Sequence, residues 1–164
     1  MRILQYPDPI LMKGAEEVKK IGERELQYLD EMRVAMHREG GIGLAGPQVG
    51  LSIALIVIEL TSEKSYDLIN PRILEKKGVM KSDEGCLSIP GFRGTVKRAR
   101  YIRVAYLDRG GEERIVETDG GLFSSCLQHE IDHLKGRLFI DLFPPPKRKI
   151  LEMRLKDRDC SVVK

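Results

Sequence analysis

The sequence has few cysteines, no long hydrophobic run and little excess of charge. Its three cysteines, Cys86, Cys126 and Cys160, cannot form a complete set of disulfides, so we expect a reducing, cytoplasmic environment. No segment approaches the roughly 18 consecutive apolar residues of a membrane-spanning helix. The first residues lead into Pro7-Asp8-Pro9 without the apolar core of a signal peptide. These absences predict a protein that is not exported and has no membrane partner.

Length and composition are those of an ordinary globular protein. The 164 residues predict one domain, spanning 1–164. Apolar residues make up 41% of the chain and charged residues 32%, a composition that is somewhat rich in charge. A net charge of +3 is too small to indicate nucleic-acid binding by itself, and we expect no DNA partner.

Histidine is also scarce, and two of the three histidines stand four residues apart, at His129 and His133. On a helix this spacing places both imidazoles on one face, where they can bind one metal ion. Glu130 lies between them and completes an H-E-x-x-H pattern, in which the carboxylate can take a proton from water activated by the ion. The alternative is a surface helix that carries two histidines by chance. We favour the metal site.

A third ligand must come from elsewhere in the chain, because metal sites used for catalysis typically have three protein ligands. Cys86 lies in the segment 83–91, which contains glycine and proline on both sides of the thiol and is expected to be a loop. A lone cysteine is ordinarily a small buried hydrophobic residue. Beside a helix with two histidines, Cys86 is a candidate ligand. Cys126 falls on the same helix face as both histidines, and we expect it to line the pocket.

The glycine-rich segment 41–50, which contains Pro47, is not expected to be a regular element. Either it cradles a phosphate or its backbone approaches another group closely. The phosphate interpretation is weak, because no Gly-Lys-Ser/Thr follows and the next segment is typical of a strand. Gln48 is the only polar side chain in the segment and is a candidate to hydrogen-bond a ligand.

Apolar periodicity and turn residues predict an α+β fold. A helix is expected over 23–39, with an apolar stripe that includes Leu29 and Met32, and Ile53 to Ile58 is an apolar run typical of a buried strand. The other expected elements are strands at 66–70, 101–107 and 112–118, a helix at about 121–135 capped by Thr118 or Asp119, an extended piece at 138–143, and a helix at about 147–157. We expect mostly antiparallel sheets packed around a central metal-binding helix, with an N-terminal and a C-terminal helix.

The C-terminal segment is basic. It contains seven Lys and Arg residues against three acidic ones, namely Lys147, Arg148, Lys149, Arg154, Lys156, Arg158 and Lys164 against Glu152, Asp157 and Asp159. A charge run of this kind is usually a solvated helix face. The alternative is a docking surface for an acidic partner such as RNA.

The sequence resembles bacterial peptide deformylases in three motifs that occur in the same order. These are the glycine-rich segment that contains Gln48, the segment Glu84-Gly85-Cys86-Leu87-Ser88, and Gln128-His129-Glu130-Ile131-Asp132-His133. The resemblance covers most of the chain. Two departures are visible: Gly46 stands where the family commonly has alanine, and Ser125 is more polar than the aliphatic residue expected before Cys126.

The resemblance implies a metal-dependent hydrolase that removes the formyl group from the N-terminal formyl-methionine of newly made polypeptides and releases formate. It implies that Cys86, His129 and His133 bind one divalent ion, Fe²⁺ in the cell with Zn²⁺ or Ni²⁺ as possible substitutes, and that Glu130 is the acid and base. Gln48 and the backbone N–H of Leu87 would face the oxyanion. The substrate groove would be lined or supported by Ile42, Gly43, Glu84, Arg93, Leu122 and Cys126. The resemblance also suggests that the basic C-terminal helix contacts the ribosome.

Two other functions remain open from the residues alone. One is a different metal-dependent amidase or peptidase that uses the same site. The other is a structural metal-binding module whose basic tail docks on RNA, and such a module would unfold when its metal is chelated. Glu130 and Gln48 argue against the structural module, because a closed structural site needs neither. Charge alone suggests that Asp132 pairs with a basic residue such as Arg98.

Overall fold

The computed structural model describes residues 1–161, and for 156–161 it describes the backbone alone. The helices are α1 Glu23–Arg38, α2 Gly121–Leu134 and α3 Pro145–Ser161. The strands are β1 Gly43–Ala45, β2 Leu55–Thr61, β3 Lys64–Lys77, β4 Met80–Cys86, β5 Ile89–Arg98, β6 Tyr101–Leu107 and β7 Glu113–Asp119. Short 3₁₀ turns occupy Pro9–Met12, Gly46–Val49 and Phe139–Leu142. None of the helices described is long and apolar enough to cross a membrane.

Five strands form one antiparallel sheet in the order β1-β2-β3-β6-β7, and β4 pairs with β5 in a separate hairpin. The inner strand β2 is covered on both faces. Leu55 and Val57 pack in the cluster that contains the apolar stripe of α1, whereas Ile56 and Ile58 pack with α2. Burial on both faces explains why β2 is apolar at consecutive positions. The predicted α+β fold, with antiparallel sheets packed around the histidine-bearing helix, is confirmed.

Two segments predicted to be irregular are strands. Residues 43–45 pair with 56–58 as β1, an edge strand of the sheet whose three residues are all buried. The segment 83–91 was expected to be a loop, but it contains the end of β4 and the start of β5. Its polar side chains obscured the strand pattern, since much of β4 is exposed on one face. Cys86 is therefore held by a hairpin and not by a loop.

Smaller differences concern the ends of elements. Strand β3 continues past Pro71 through a register shift, with Asn70 in the left-handed region at φ 52°. Helix α2 begins after Gly120 at φ 81°, and neither Thr118 nor Asp119 caps it. The segment predicted to be extended before the last helix forms a 3₁₀ turn, and α3 begins at Pro145 because proline is tolerated in the first turn.

Helix α3 is anchored to the rest of the protein by its apolar side. Leu151 and Leu155 pack in a cluster with Phe139 and Phe143 and with residues of β5. The side chains of three residues of the predicted basic tail, Lys156, Arg158 and Lys164, lie outside the described residues.

Candidate metal centre

Helix α2 carries both histidines on its buried face. His129 is 7% exposed and His133 is fully buried, and the centroids of their rings lie 5.0 Å apart. One helical turn separates them, so the spacing predicted from the sequence brings them together. Their burial depends on α2 packing against β1, β2 and the β4–β5 hairpin.

Cys86 joins them from the end of β4. Its Sγ lies 3.2 Å from His133 Nε2, and the candidate ligand atoms of Cys86, His129 and His133 all lie within 4.8 Å of one another. Tetrahedral bonding at usual metal–sulfur and metal–nitrogen lengths separates sulfur and nitrogen ligands by about 3.5 Å. A thiolate with two imidazoles is also a donor set that Zn²⁺, Fe²⁺ and Ni²⁺ accept. The cluster therefore fits one divalent ion.

A buried ion-pair network orients the first histidine. Glu84 Oε2 accepts a hydrogen bond from His129 Nδ1 at 2.8 Å, which directs His129 Nε2 towards the cluster. Arg98 donates to both Glu84 oxygens, at 2.8 and 2.9 Å, and also pairs with Asp132. The suggested pairing of Asp132 with Arg98 is therefore present.

Sequence reasoning missed the contact of Glu84 with His129, since it placed Glu84 only in the substrate groove. A signal was available once the strand was known. Glu84 and Cys86 are two residues apart, so their side chains project from the same face of β4. A carboxylate beside a metal ligand on one strand face is well placed to bond a second ligand.

The network also sets the charges of the site. Burial alone would raise the pKa of Glu84, but hydrogen bonds from Arg98 and His129 outweigh it and lower that pKa to about 2. Burial lowers the pKa of His133 well below its ordinary value, and the charges of His129 and Arg98 add to this effect. Burial alone would lower the pKa of His129, but the hydrogen bonds to Cys86 and Glu84 outweigh burial and raise this pKa. The neutral form of an imidazole is the one that binds a metal ion, and the hydrogen-bonded carboxylate of Glu84 increases the basicity of His129.

Glu130 belongs to α2, and its side chain is buried against β1. Its Oε1 lies close to Gly43, where an added Cβ would be only 2.6 Å away, and its Oε2 has no hydrogen-bond partner among the described residues. Burial raises the pKa of Glu130 to about 7; the charges of His129 and Arg98 oppose this rise, and that of Glu84 adds to it. A carboxylate with a pKa near neutrality can both take up and release a proton. Burial likewise raises the pKa of the neighbouring Cys126 well above its ordinary value.

Gln48 lies beside Cys86, in the 3₁₀ turn after β1. Its Oε1 accepts a hydrogen bond from Ala45 N at 2.8 Å, and its Nε2 lies 3.5 Å from Cys86 Sγ. The side chain is 1% exposed, so its amide is fixed by protein contacts. Leu87 follows Cys86 between β4 and β5 and borders the groove.

A groove of about 900 Å³ opens above these residues. It is bordered by all six residues expected to line or support it and by Gln48, Cys86, Leu87, His129 and Glu130. The six are Ile42, Gly43, Glu84, Arg93, Leu122 and Cys126. The groove also includes Arg2, which sequence reasoning did not select, and Ser125, which it noted as a departure from the family. The Ser125 hydroxyl donates to Leu122 O at 3.0 Å, so the helix backbone accepts its hydrogen bond.

Comparisons with known proteins agree on one family. Residues 1–149 match the family model described as polypeptide deformylase. The crystal structure of a peptide deformylase from Legionella pneumophila is 37% identical, with a TM-score of 0.91 over 99% of this chain and 98% of that one. The enzyme from Thermus thermophilus is also 37% identical, with a TM-score of 0.88 over 94% and 92%. The enzyme from Ehrlichia chaffeensis in complex with actinonin is 35% identical, with a TM-score of 0.91 over 96% of each chain.

Proposed function

Because this chain belongs to the polypeptide deformylase family, we propose that Cys86, His129 and His133 bind its metal ion and that Glu130 is its acid and base. The enzyme hydrolyses the formyl group from the N-terminal formyl-methionine of newly made polypeptides and releases formate. The observation that carries the residue assignments is the convergence of a thiol and two imidazoles beside the buried Glu130. We propose that residues 1–164 work as one domain.

An amide is a poor electrophile, so its hydrolysis needs a strong nucleophile and a proton for the leaving nitrogen. When bound, a divalent ion supplies Lewis acidity and lowers the pKa of water from 15.7 to about 7. Glu130 takes the proton of the attacking water on its carboxylate. It then delivers this proton to the amine nitrogen as the bond between that nitrogen and the formyl carbon breaks. The products are formate and a free N-terminus.

The negative charge that develops on the formyl oxygen needs donors within hydrogen-bond reach. We assign this role to Gln48 Nε2, which lies 3.5 Å from Cys86 Sγ, and to the backbone N–H of Leu87, the next residue along the chain; both residues border the groove. Burial strengthens such donors, because little water competes for them. One donor of this kind is typically worth about 3 kcal/mol of transition-state stabilisation. The Glu84–Arg98 pair contributes indirectly, because Glu84 accepts the hydrogen bond that orients His129.

Glu130→Gln tests the acid and base assignment. The variant should keep its metal content and lose turnover by orders of magnitude, measured as formate release from formyl-Met-Ala-Ser on anaerobically prepared protein. Near-normal turnover would remove Glu130 from the mechanism.

The same assay with N-acetylated and unblocked peptides separates a deformylase from a broader amidase, because only a deformylase strongly prefers the formyl group. Unchanged metal content and activity in Cys86→Ser would mean that another group is the third ligand.

We propose Fe²⁺ as the working ion, with Zn²⁺ or Ni²⁺ as substitutes. The proposal rests on family resemblance, since the Cys/His/His donor set accepts all three ions. Assaying metal and formate release on the same anaerobic sample tests it: Fe²⁺ should be present and its replacement should change turnover. Because an enzyme from Ehrlichia chaffeensis binds actinonin, we propose that this groove binds it as well.

We further propose that the enzyme works in the cytoplasm and that α3 contacts the ribosome. The substrate is made at the ribosome, and Lys149 and Arg154 are exposed on α3 beside Lys147 and Arg148. Deleting 147–164 would also remove buried leucines, so the cleaner variant is the charge reversal Lys149→Glu with Arg154→Glu. It should weaken co-sedimentation with ribosomes while leaving formate release from a short peptide unchanged. Unaltered co-sedimentation would contradict the contact.

A further inference from the structure

Ser88 is a fully buried residue that contacts Gln48 without reaching the substrate groove. Its Oγ accepts a hydrogen bond from Gln48 Nε2 at 3.3 Å, and it is 0% exposed. The groove is bordered by Leu87 and Ile89 on either side of it, but not by Ser88 itself. Any influence of Ser88 on the reaction must therefore pass through another side chain.

We propose that Ser88 is a positioning residue that fixes the rotation of the Gln48 amide and so aims one of its N–H groups at the metal cluster. This inference rests on the proposed function, in which Gln48 donates to the oxyanion. The inference adds Ser88 as the residue that preorganises the Gln48 donor.

The hydrogen bonds of the Gln48 side-chain amide are compatible with only one of its two flipped orientations. Ala45 N–H donates to Gln48 Oε1 at 2.8 Å, and this contact excludes the flipped amide, which would set two donors against each other. Gln48 Nε2 has two hydrogens and two acceptors nearby, Ser88 Oγ at 3.3 Å and Cys86 Sγ at 3.5 Å. When Ser88 takes one hydrogen, the other points towards Cys86 and hence towards the cluster.

The backbones of Gln48 and Ser88 both accept hydrogen bonds from one segment near the N-terminus. Leu4 N–H donates to Gln48 O at 2.7 Å, and Tyr6 N–H donates to Ser88 O at 2.9 Å. The turn that carries Gln48 and the hairpin that carries Ser88 are thus fixed relative to each other before substrate binds. With both backbones fixed, the remaining freedom of the amide is rotation of the Gln48 side chain, which the Ser88 hydroxyl restrains.

A buried hydroxyl can also matter only for stability, and the two roles predict different kinetics. A positioning role lowers kcat and leaves KM within about threefold, because Ser88 does not border the groove. Removing one oxyanion donor typically lowers kcat about 10²–10³-fold, so loss of its alignment should lower kcat by roughly 10–100-fold. A role in stability alone would lower the melting temperature and act independently of Gln48.

A double-mutant cycle on the metal-loaded full chain tests the proposal. Ser88→Ala, Gln48→Ala and the double variant are compared for kcat, KM, metal content and melting temperature with formyl-Met-Ala-Ser. Ser124→Ala is the matched control, because Ser124 is also 0% exposed and accepts from a glutamine amide, Gln128 Nε2, at 3.3 Å. We expect Ser88→Ala to lower kcat 10–100-fold in the wild type and less than twofold when Gln48 is already alanine. The effect of Ser124→Ala should be the same in both backgrounds.

The remaining outcomes overturn the inference in distinguishable ways. If Gln48→Ala keeps wild-type kcat, the proposed role of Gln48 and the inference both fail. If Gln48→Ala lowers kcat but Ser88→Ala has no effect, or an equal effect in both backgrounds, the inference alone fails. Should Ser88→Ala not fold, Ser88→Cys keeps the volume with a weaker acceptor. It should lower kcat only while Gln48 is present, and a loss that persists in Gln48→Ala would refute the inference.

Discussion

Replacing Gly43 with alanine should lower turnover about 100-fold without loss of metal. The added Cβ would lie 2.6 Å from Glu130 Oε1 and 2.8 Å from Cys126 Sγ. Ordinary contacts of a Cβ begin at 3.4 Å, so either strand β1 must move by about 0.8 Å or the side chains of Glu130 and Cys126 must both be displaced. A misplacement of about 1 Å at a reacting group can reduce rates 10²-fold, which corresponds to about 2.7 kcal/mol. None of the three nearest atoms belongs to Cys86, His129 or His133.

The assay measures kcat/KM for formyl-Met-Ala-Ser together with metal content and melting temperature. Gly14→Ala is the matched control, because its Cβ would meet nothing closer than Leu134 O at 3.9 Å, an ordinary contact. It should retain wild-type kcat/KM. A kcat/KM of Gly43→Ala within threefold of wild type, with metal content equal, would refute the reasoning that Gly43 leaves room for the catalytic carboxylate.

Other perturbations test the surroundings of the site. Glu84→Gln should weaken metal binding roughly 10–100-fold, because His129 loses its carboxylate partner. Competition with a chelator measures this affinity, and a wild-type affinity would contradict the prediction. Since the folded pKa of Glu84 is about 2, below the ordinary 4.5, its contribution is complete above pH 4.5 and is lost as the pH falls towards 2. Denaturant titrations over that range should show the wild type losing roughly 3 kcal/mol more than Glu84→Gln, and equal losses would argue against the network. Gly46→Ala should lower the melting temperature by roughly 2–10 °C, because the added Cβ would lie 2.6 Å from the carbonyl oxygen of Ile53. An unchanged melting temperature would show that the backbone around Gly46 shifts at little cost. Chelation should abolish formate release while far-ultraviolet circular dichroism persists, whereas unfolding would indicate a structural metal.

The departure at Gly46 illustrates how the structure changes the meaning of a sequence feature. From the sequence it is the loss of one methyl group before Pro47. In the structure the backbone at Gly46 packs against the carbonyl oxygens of Ile53 and Leu51, so this chain has no room for that methyl group. The hydrogen bond from Ala45 N–H still holds Gln48 in the turn that follows.

The position of Cys86 could be expected only in part. Its candidacy followed from chemistry, since two imidazoles lack a third ligand. Its place on the last residue of β4 was missed, because the polar, partly exposed β4 has no apolar alternation to reveal a strand. The hairpin matters for function, as it sets Glu84 and Cys86 on one face and brings them to two different histidines.

Helical spacing by itself determined that His129 and His133 share a face with Glu130 beside them, because residues four apart on an α-helix always do. The apolar run of β2 likewise determined a strand buried on both faces. Only the tertiary structure decided that Cys86 meets His133, that Glu84 and Arg98 support His129, and that Ser88 meets Gln48. Those contacts join residues 14 to 47 positions apart, and their geometry depends on how hairpin, turn and helix pack together. No local periodicity encodes that packing.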